Sequence, residues 1–112
     1  MNEVKEITDA LIKFRDERNW EQFHDSKNLA TAIAIEAAEL NELFLWKDLI
    51  ESEKVDKEKI QEELADVLAF ALLLANKHKF DIKKIVLDKV RKNAEKYPVS
   101  KSKGTAKKYN EL

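Results

Sequence analysis

The sequence predicts an all-α domain, and three observations carry that prediction. The 112-residue chain contains one Gly and one Pro, so it has few of the residues that punctuate turn-rich folds. Apolar residues recur at helical spacing near both ends, with charged residues between them. Between those segments lie two runs that are apolar on nearly every side, residues 29–46 (LATAIAIEAAELNELFLW) and residues 64–75. The length suits one domain, 1–112, with a basic, flexible tail over about 98–112.

Asn2 is placed to cap a first helix running to about Trp20. Val4, Ile7, Leu11 and Phe14 form its apolar stripe. The stretch FRDERNWEQFHDSKN breaks that rhythm, and Asp25 or Ser26 then caps a second helix over about 27–46. The polar segment 47–57 reads as a connection with a helical turn at 48–51. Asp56 caps a third helix over about 58–77, which ends at His78 and Lys79. Asp81 caps a fourth, with Phe80 and Ile85 at the staple positions on either side of the cap. That helix ends near Tyr97 because Pro98 disfavours helical backbone at the residue before it. The remainder, SKSKGTAKKYNEL, is polar and basic and is expected to order only on a partner or ligand.

A surface helix needs one apolar stripe, yet the second and third helices are apolar nearly all round. A chain this short has little interior in which to hide them. The expectation is a four-helix, bundle-type fold completed by homo-oligomerisation, as a dimer or tetramer.

Charged residues make up 38% of the chain but balance to a net charge of −1. No bulk attraction to a nucleic-acid polymer follows from that balance. There is no Cys, which excludes a disulfide framework and a thiolate metal site and is compatible with the cytoplasm. The N-terminus lacks the basic start and apolar core of a signal peptide. The long apolar run carries Glu36, Glu39 and Glu42, too many charges for a membrane span.

Those carboxylates carry the chemistry. Glu36 and Glu39 are three apart and share a helix face, set among Ile33, Ile35, Ala37, Ala38, Leu40 and Leu43. Glu63 and Asp66 repeat the spacing at the head of the second apolar run. A carboxylate buried among apolar groups needs a cation, a hydrogen-bond donor or a proton. Pairing with Lys or Arg from a neighbouring helix is the plain alternative to a metal. With both pairs converging from packed helices, four acids are hard to keep ionised together without a divalent cation. All-oxygen ligands suit Mg²⁺ or Mn²⁺ rather than Zn²⁺, and carboxylate-held Mg²⁺ keeps positions open for water and phosphate. That points to phosphoryl chemistry on a nucleoside triphosphate.

Lys89, Asn93 and Tyr97 fall at i, i+4 and i+8 on the fourth helix, offering one positive charge and two neutral donors for phosphate. A solvated basic face would show the same lysine. Trp20, Phe23 and Trp46 are either core aromatics or flat walls for a nucleobase. Glu21 and His24 match one half of a di-iron carboxylate motif, but the second half is missing. His78 reads as a capping or solvent residue. No Walker-type glycine loop and no Gly-x-Ser-x-Gly occurs.

At these residues the chain resembles the MazG-like all-α NTP pyrophosphatases, and most closely their dCTP pyrophosphatase branch. The resemblance lies in Glu36-Ala-Ala-Glu39, a 23-residue spacer, then Glu63-Leu-Ala-Asp66. It extends through FRDERNWEQFHDSKNLA, EAAELNELFLWK, EELADVLAFALLLA and KVRKNAEKYPVSKSKGTAKKY, in order, from about Phe14 onward. It implies cleavage between the α- and β-phosphates, giving a monophosphate and pyrophosphate, with dCTP or a modified dCTP as substrate. It implies that Glu36, Glu39, Glu63 and Asp66 hold Mg²⁺ and serve the attacking water. Lys89, Asn93 and Tyr97 match triphosphate-binding positions, and Trp20, His24 and Trp46 match the base-pocket region. It also implies an oligomer with sites at subunit junctions. One departure is visible: many relatives have Gly in or just before the first acidic pair, where Ile35 and Ala38 stand here. Two rivals remain open. One keeps the chemistry on dUTP or a broad set of triphosphates, and the other is a non-catalytic helical interaction module whose buried acids pair with bases.

Overall fold

Asp and Asn side chains start every long helix in the computed structural model, which describes residues 2–112. Asn2 Oδ1 accepts from the Val4 and Lys5 amides at 3.0 and 3.3 Å and opens α1 (Glu3–Glu17). Asp25 accepts from the Asn28 amide at 2.7 Å and opens α2 (Ser26–Glu42). Asp48 caps the single-turn α3 (Leu49–Ser52) and Asp56 caps α4 (Lys57–Lys77). Asp81 opens α5 (Ile82–Lys96), and α6 (Val99–Ser102) follows Pro98. Each cap satisfies amides that the first helical turn leaves without intrahelical partners. Two 3₁₀ turns, at Glu21–Phe23 and Tyr109–Glu111, complete the regular structure, and no strand occurs among the described residues.

The all-α expectation holds, although a count of four helices is too coarse. Six α-helices are present among the described residues, four long ones and two of four residues. The first two long helices also stop earlier than their apolar patterns suggest. After α1, Asn19 turns into the left-handed region at φ 56, which Asn tolerates better than most residues. After α2, residues 43–45 tighten into i→i+3 turns and Trp46 takes φ 63. Lys79 ends α4 the same way at φ 58, so three helix ends are made without glycine.

The chain divides into two compact units, Met1–Lys79 and Phe80–Leu112. In the first, α2 packs along α4 and α1 also contacts α4. Ser26, at the start of α2, reaches His78, just past the end of α4, while Glu36 and Glu39 meet Glu63 near α4's beginning. The two helices therefore run antiparallel. Leu29, Leu73 and Ala75 form the buried core among the described residues. Around that core many apolar residues are half-buried, while Ile35, Leu64 and Leu68 stay about half exposed. Among the described residues, no helix is long and apolar enough to cross a membrane. The second unit consists of α5, α6 and the C-terminal 3₁₀ turn.

Candidate metal centre and nucleotide site

Antiparallel packing of α2 on α4 brings carboxylates from both acidic pairs together. One oxygen each from Glu36, Glu39 and Glu63 lies within 4.8 Å of the other two. Asp66 stands outside this trio and is exposed, yet its charge acts on both Glu36 and Glu63. None of the four acids forms an ion pair with Lys or Arg among the described residues. Oε2 of Glu36 and Oε2 of Glu63 are buried without a hydrogen-bond partner.

This crowding raises the proton affinity of Glu36 and Glu63. The Glu36 carboxyl is pushed up to about 7, first by a hydrogen bond shared with Glu39. Burial and the charges of Glu39, Asp66 and Glu63 act in the same direction. Glu63 is also raised, by burial first and then by the charge of Glu39. Convergent all-oxygen donors, two of them buried and unsatisfied, with no basic side chain to neutralise them, fit a hard divalent cation.

On α5 the cations are sorted. Asp88 takes both Lys84, at 2.7 Å, and Arg91. Lys89 and Asn93 make no ion pair or side-chain hydrogen bond among the described residues, so both remain open to an anion. Tyr97 leaves the helix as its C-terminal cap, its amide donating to the Asn93 carbonyl at 2.8 Å.

The three base-pocket candidates lie in different settings. Trp20 packs edge-on against Phe14, ring centroids 5.7 Å apart, with the Arg18 guanidinium 3.7 Å from the Phe14 ring. His24 stands edge-on to Phe70 of α4 at 6.3 Å, and its buried Nδ1 has no partner. Burial and the nearby Arg15 charge hold His24 below its usual pKa, against a smaller opposing effect of Glu21, so the ring is neutral at pH 7. Trp46 is 92% exposed, so in the single chain it packs against neither of the others. Of the three, His24 alone lines a cavity of about 280 Å³, bounded also by Arg15, Glu21, Leu29, Leu73, Asn76 and Lys77.

Sequence reading missed Arg15, whose side chain is only 13% exposed and bridges Asp16 at 2.8 Å and Glu21 at 3.6 Å. Its place in the polar run FRDER gave no hint of burial. It also missed Phe70 as the neighbour of His24, since one apolar residue in an all-apolar run carries no distinguishing mark. The departure at Ile35 leaves the packing unaffected within the chain, because Ile35 is 53% exposed.

Comparison with known proteins identifies the family of this fold. The model of the MazG-like family matches residues 31–112. The chain is 40% identical over 114 aligned residues to dCTP pyrophosphatase 1 of Rattus norvegicus, covering 97% of this chain and 67% of the relative. The Homo sapiens protein of that name is 38% identical over the same shares. Among solved structures, a pyrophosphatase from Archaeoglobus fulgidus superposes with a TM-score of 0.82 at 38% identity, covering 88% of this chain and 94% of that one. Family match, sequence likeness and fold agree: the chain belongs to the MazG-like family.

Proposed function

We propose that the chain is a nucleotide pyrophosphatase that hydrolyses the α–β phosphoanhydride bond of a nucleoside triphosphate, dCTP or a modified dCTP first among them. Water adds to phosphorus, the bridging P–O bond breaks, and a monophosphate, pyrophosphate and a proton result. The observation that carries this reading is the carboxylate trio with no basic partner among the described residues, Glu36, Glu39 and Glu63 within 4.8 Å. In an interaction module, those acids would be paired with bases. The relatives named as pyrophosphatases support the same chemistry.

In this reading Glu36, Glu39, Glu63 and Asp66 hold Mg²⁺, with Mn²⁺ as a substitute. When bound, the ion supplies charge neutralisation at the phosphates and a more acidic water. The proton shared by Glu36 and Glu39 leaves as the cluster is occupied. A carboxylate oxygen of the cluster then accepts the proton of the attacking water. Lys89 places a point charge against the polyphosphate, and Asn93 and Tyr97 donate neutral hydrogen bonds to it. His24, neutral and with Nδ1 uncommitted, reads the base, helped by Trp20 and Trp46 through stacking.

The assembly in this reading is a homo-oligomer, dimer or tetramer, that completes a four-helix arrangement and works in the cytoplasm on the nucleotide pool. The large apolar side chains left open on α2 and α4, and the exposed Trp46, support it. Because His24 alone lines the cavity within one chain, a broader base range or dUTP is the second reading.

The test is pyrophosphate release with Mg²⁺ across the natural NTPs and dNTPs plus 5-substituted dCTP. Turnover confined to cytosine deoxynucleotides supports both the chemistry and the base pocket. Broad turnover keeps the chemistry and retires Trp20, His24 and Trp46 as selectors. A folded protein silent on every nucleotide overturns the enzyme reading.

A further inference from the structure

We propose that Tyr109 is a positioning residue for polyphosphate, docking the basic C-terminal strap, residues 103–112, onto the end of α5 beside Tyr97 and Lys96. The proposal deepens the reading of Lys89, Asn93 and Tyr97 as phosphate contacts and rests on it. The Tyr109 ring meets Tyr97 edge-on, with centroids 6.1 Å apart and planes at 86°. Lys96 Nζ lies 5.0 Å from the centroid of the same Tyr109 ring. The chain must reverse to bring residues 97 and 109 together. It does so through α6 and Gly104, whose φ of 78 suits a residue without Cβ. A 3₁₀ turn at Tyr109–Glu111, closed by the Glu111 amide donating to the Lys108 carbonyl at 2.8 Å, then holds the ring in place.

The charge of this segment runs against its own docking. Residues 96–110 contain five lysines, Lys96, Lys101, Lys103, Lys107 and Lys108, and no acid. Such a run repels itself and favours the open, solvated state. Here two aromatic contacts hold it back against a helix whose Lys89 is also unneutralised, since Asp88 is taken up by Lys84 and Arg91. Tyr109 is 44% exposed, so core burial is not what the contact achieves. Its consequence is to hold Tyr109, and with it Lys107 and Lys108 immediately before the ring, at the C-terminal end of the helix that also carries Lys89 and Asn93. A multiply charged anion relieves the repulsion among these lysines, and a tri- or pyrophosphate chain matches the charge. The edge-on contact also fixes the Tyr97 ring while leaving its hydroxyl free to donate.

The experiment compares the full chain with Tyr109→Phe, Tyr109→Ala and the double variant Lys107→Gln/Lys108→Gln. Steady-state hydrolysis is measured over a range of salt. Tyr109→Ala is expected to raise KM for the triphosphate about tenfold with kcat within about twofold, and Tyr109→Phe to keep the wild-type KM. The double variant should raise KM as well and flatten its salt dependence. A second readout needs no turnover: inorganic tripolyphosphate should slow tryptic cleavage at the strap lysines in the wild type and in Tyr109→Phe, but not in Tyr109→Ala. Equal KM and equal protection in all forms would overturn the strap proposal while leaving the pyrophosphatase reading intact. Protection without hydrolysis of any nucleotide would uphold the strap and sink that reading instead.

Discussion

Ser26 Oγ lies 2.8 Å from His78 Nε2, tying the first turn of α2 to the end of α4 across 52 residues. The contact sits at the opposite end of the helix pair from the carboxylates. It belongs to the same antiparallel packing that brings Glu36 and Glu39 opposite Glu63, but takes no part in any chemistry there. Removing it separates the scaffold from the site. Ser26→Ala is expected to lower unfolding free energy by about 0.5–1 kcal/mol, seen as a lower urea midpoint at an unchanged slope. Divalent-ion binding and kcat should stay within about twofold of wild type at a temperature where both proteins are folded. A large loss of ion affinity would mean that the register depends on this one bond.

In the proposed metal centre, protons and a divalent cation compete for the same oxygens. With its folded pKa pushed up to about 7 from 4.5, chiefly by the hydrogen bond with Glu39, Glu36 binds its proton more tightly in the folded chain. In the metal-free protein its stabilising contribution is fully present below the unfolded value of 4.5. It declines as pH rises from there to about 7 and is level above. Mg²⁺ held there, as proposed, would favour the ionised cluster, so its effect would run the other way. Melting curves with and without saturating Mg²⁺ should show a larger ion-induced rise in Tm at pH 8 than at pH 6. An equal rise at both values would separate the ion from this cluster.

Neutralising one acid tests whether the cluster is built for folding or for binding. Oε2 of Glu36 and of Glu63 has no donor, so neither loses a hydrogen bond there on becoming an amide. Glu36→Gln and Glu63→Gln should keep or raise the metal-free Tm at pH 8, because each removes a repelling charge. Both should abolish the Mg²⁺-induced shift and cut turnover at least a hundredfold. Acids held structurally by bases would give the opposite pattern, a lower Tm with the ion response retained.

How far the sequence could be read follows from what each residue's signal consists of. Caps were legible because Asn2, Asp25, Asp56 and Asp81 sit immediately before periodic runs, and each accepts from a first-turn amide. The shared face within each acidic pair was legible from the repeated spacing, but the structure brings only Glu36, Glu39 and Glu63 together and leaves Asp66 outside the trio. Helix ends were not, because residues 43–45 remain apolar while the backbone turns, and the turn at Trp46 uses no glycine. The C-terminal tail reads as polar and basic, yet Tyr109 meets Tyr97 there. One aromatic in a lysine-rich stretch does not reveal that it has a partner twelve residues back. His78 looked like a residue at a helix end, which it is, but its bond to Ser26 depends on packing that spacing alone does not encode.

Trp46 combines two costs that a chain folding for its own sake would avoid. Its backbone is left-handed at φ 63 and its ring is 92% exposed, so the conformation is strained and little apolar area is buried in return. Glycine adopts the same backbone without strain. Trp46→Gly is therefore expected to leave the chain's resistance to urea equal or higher. If the ring stacks on the base of the nucleotide, the same change removes an interaction of about 1–3 kcal/mol. KM for dCTP should then rise by roughly tenfold or more, with kcat little altered, and the preference for cytosine should weaken. A variant that loses folding stability while binding dCTP as before would assign the ring to packing and withdraw it from the base site.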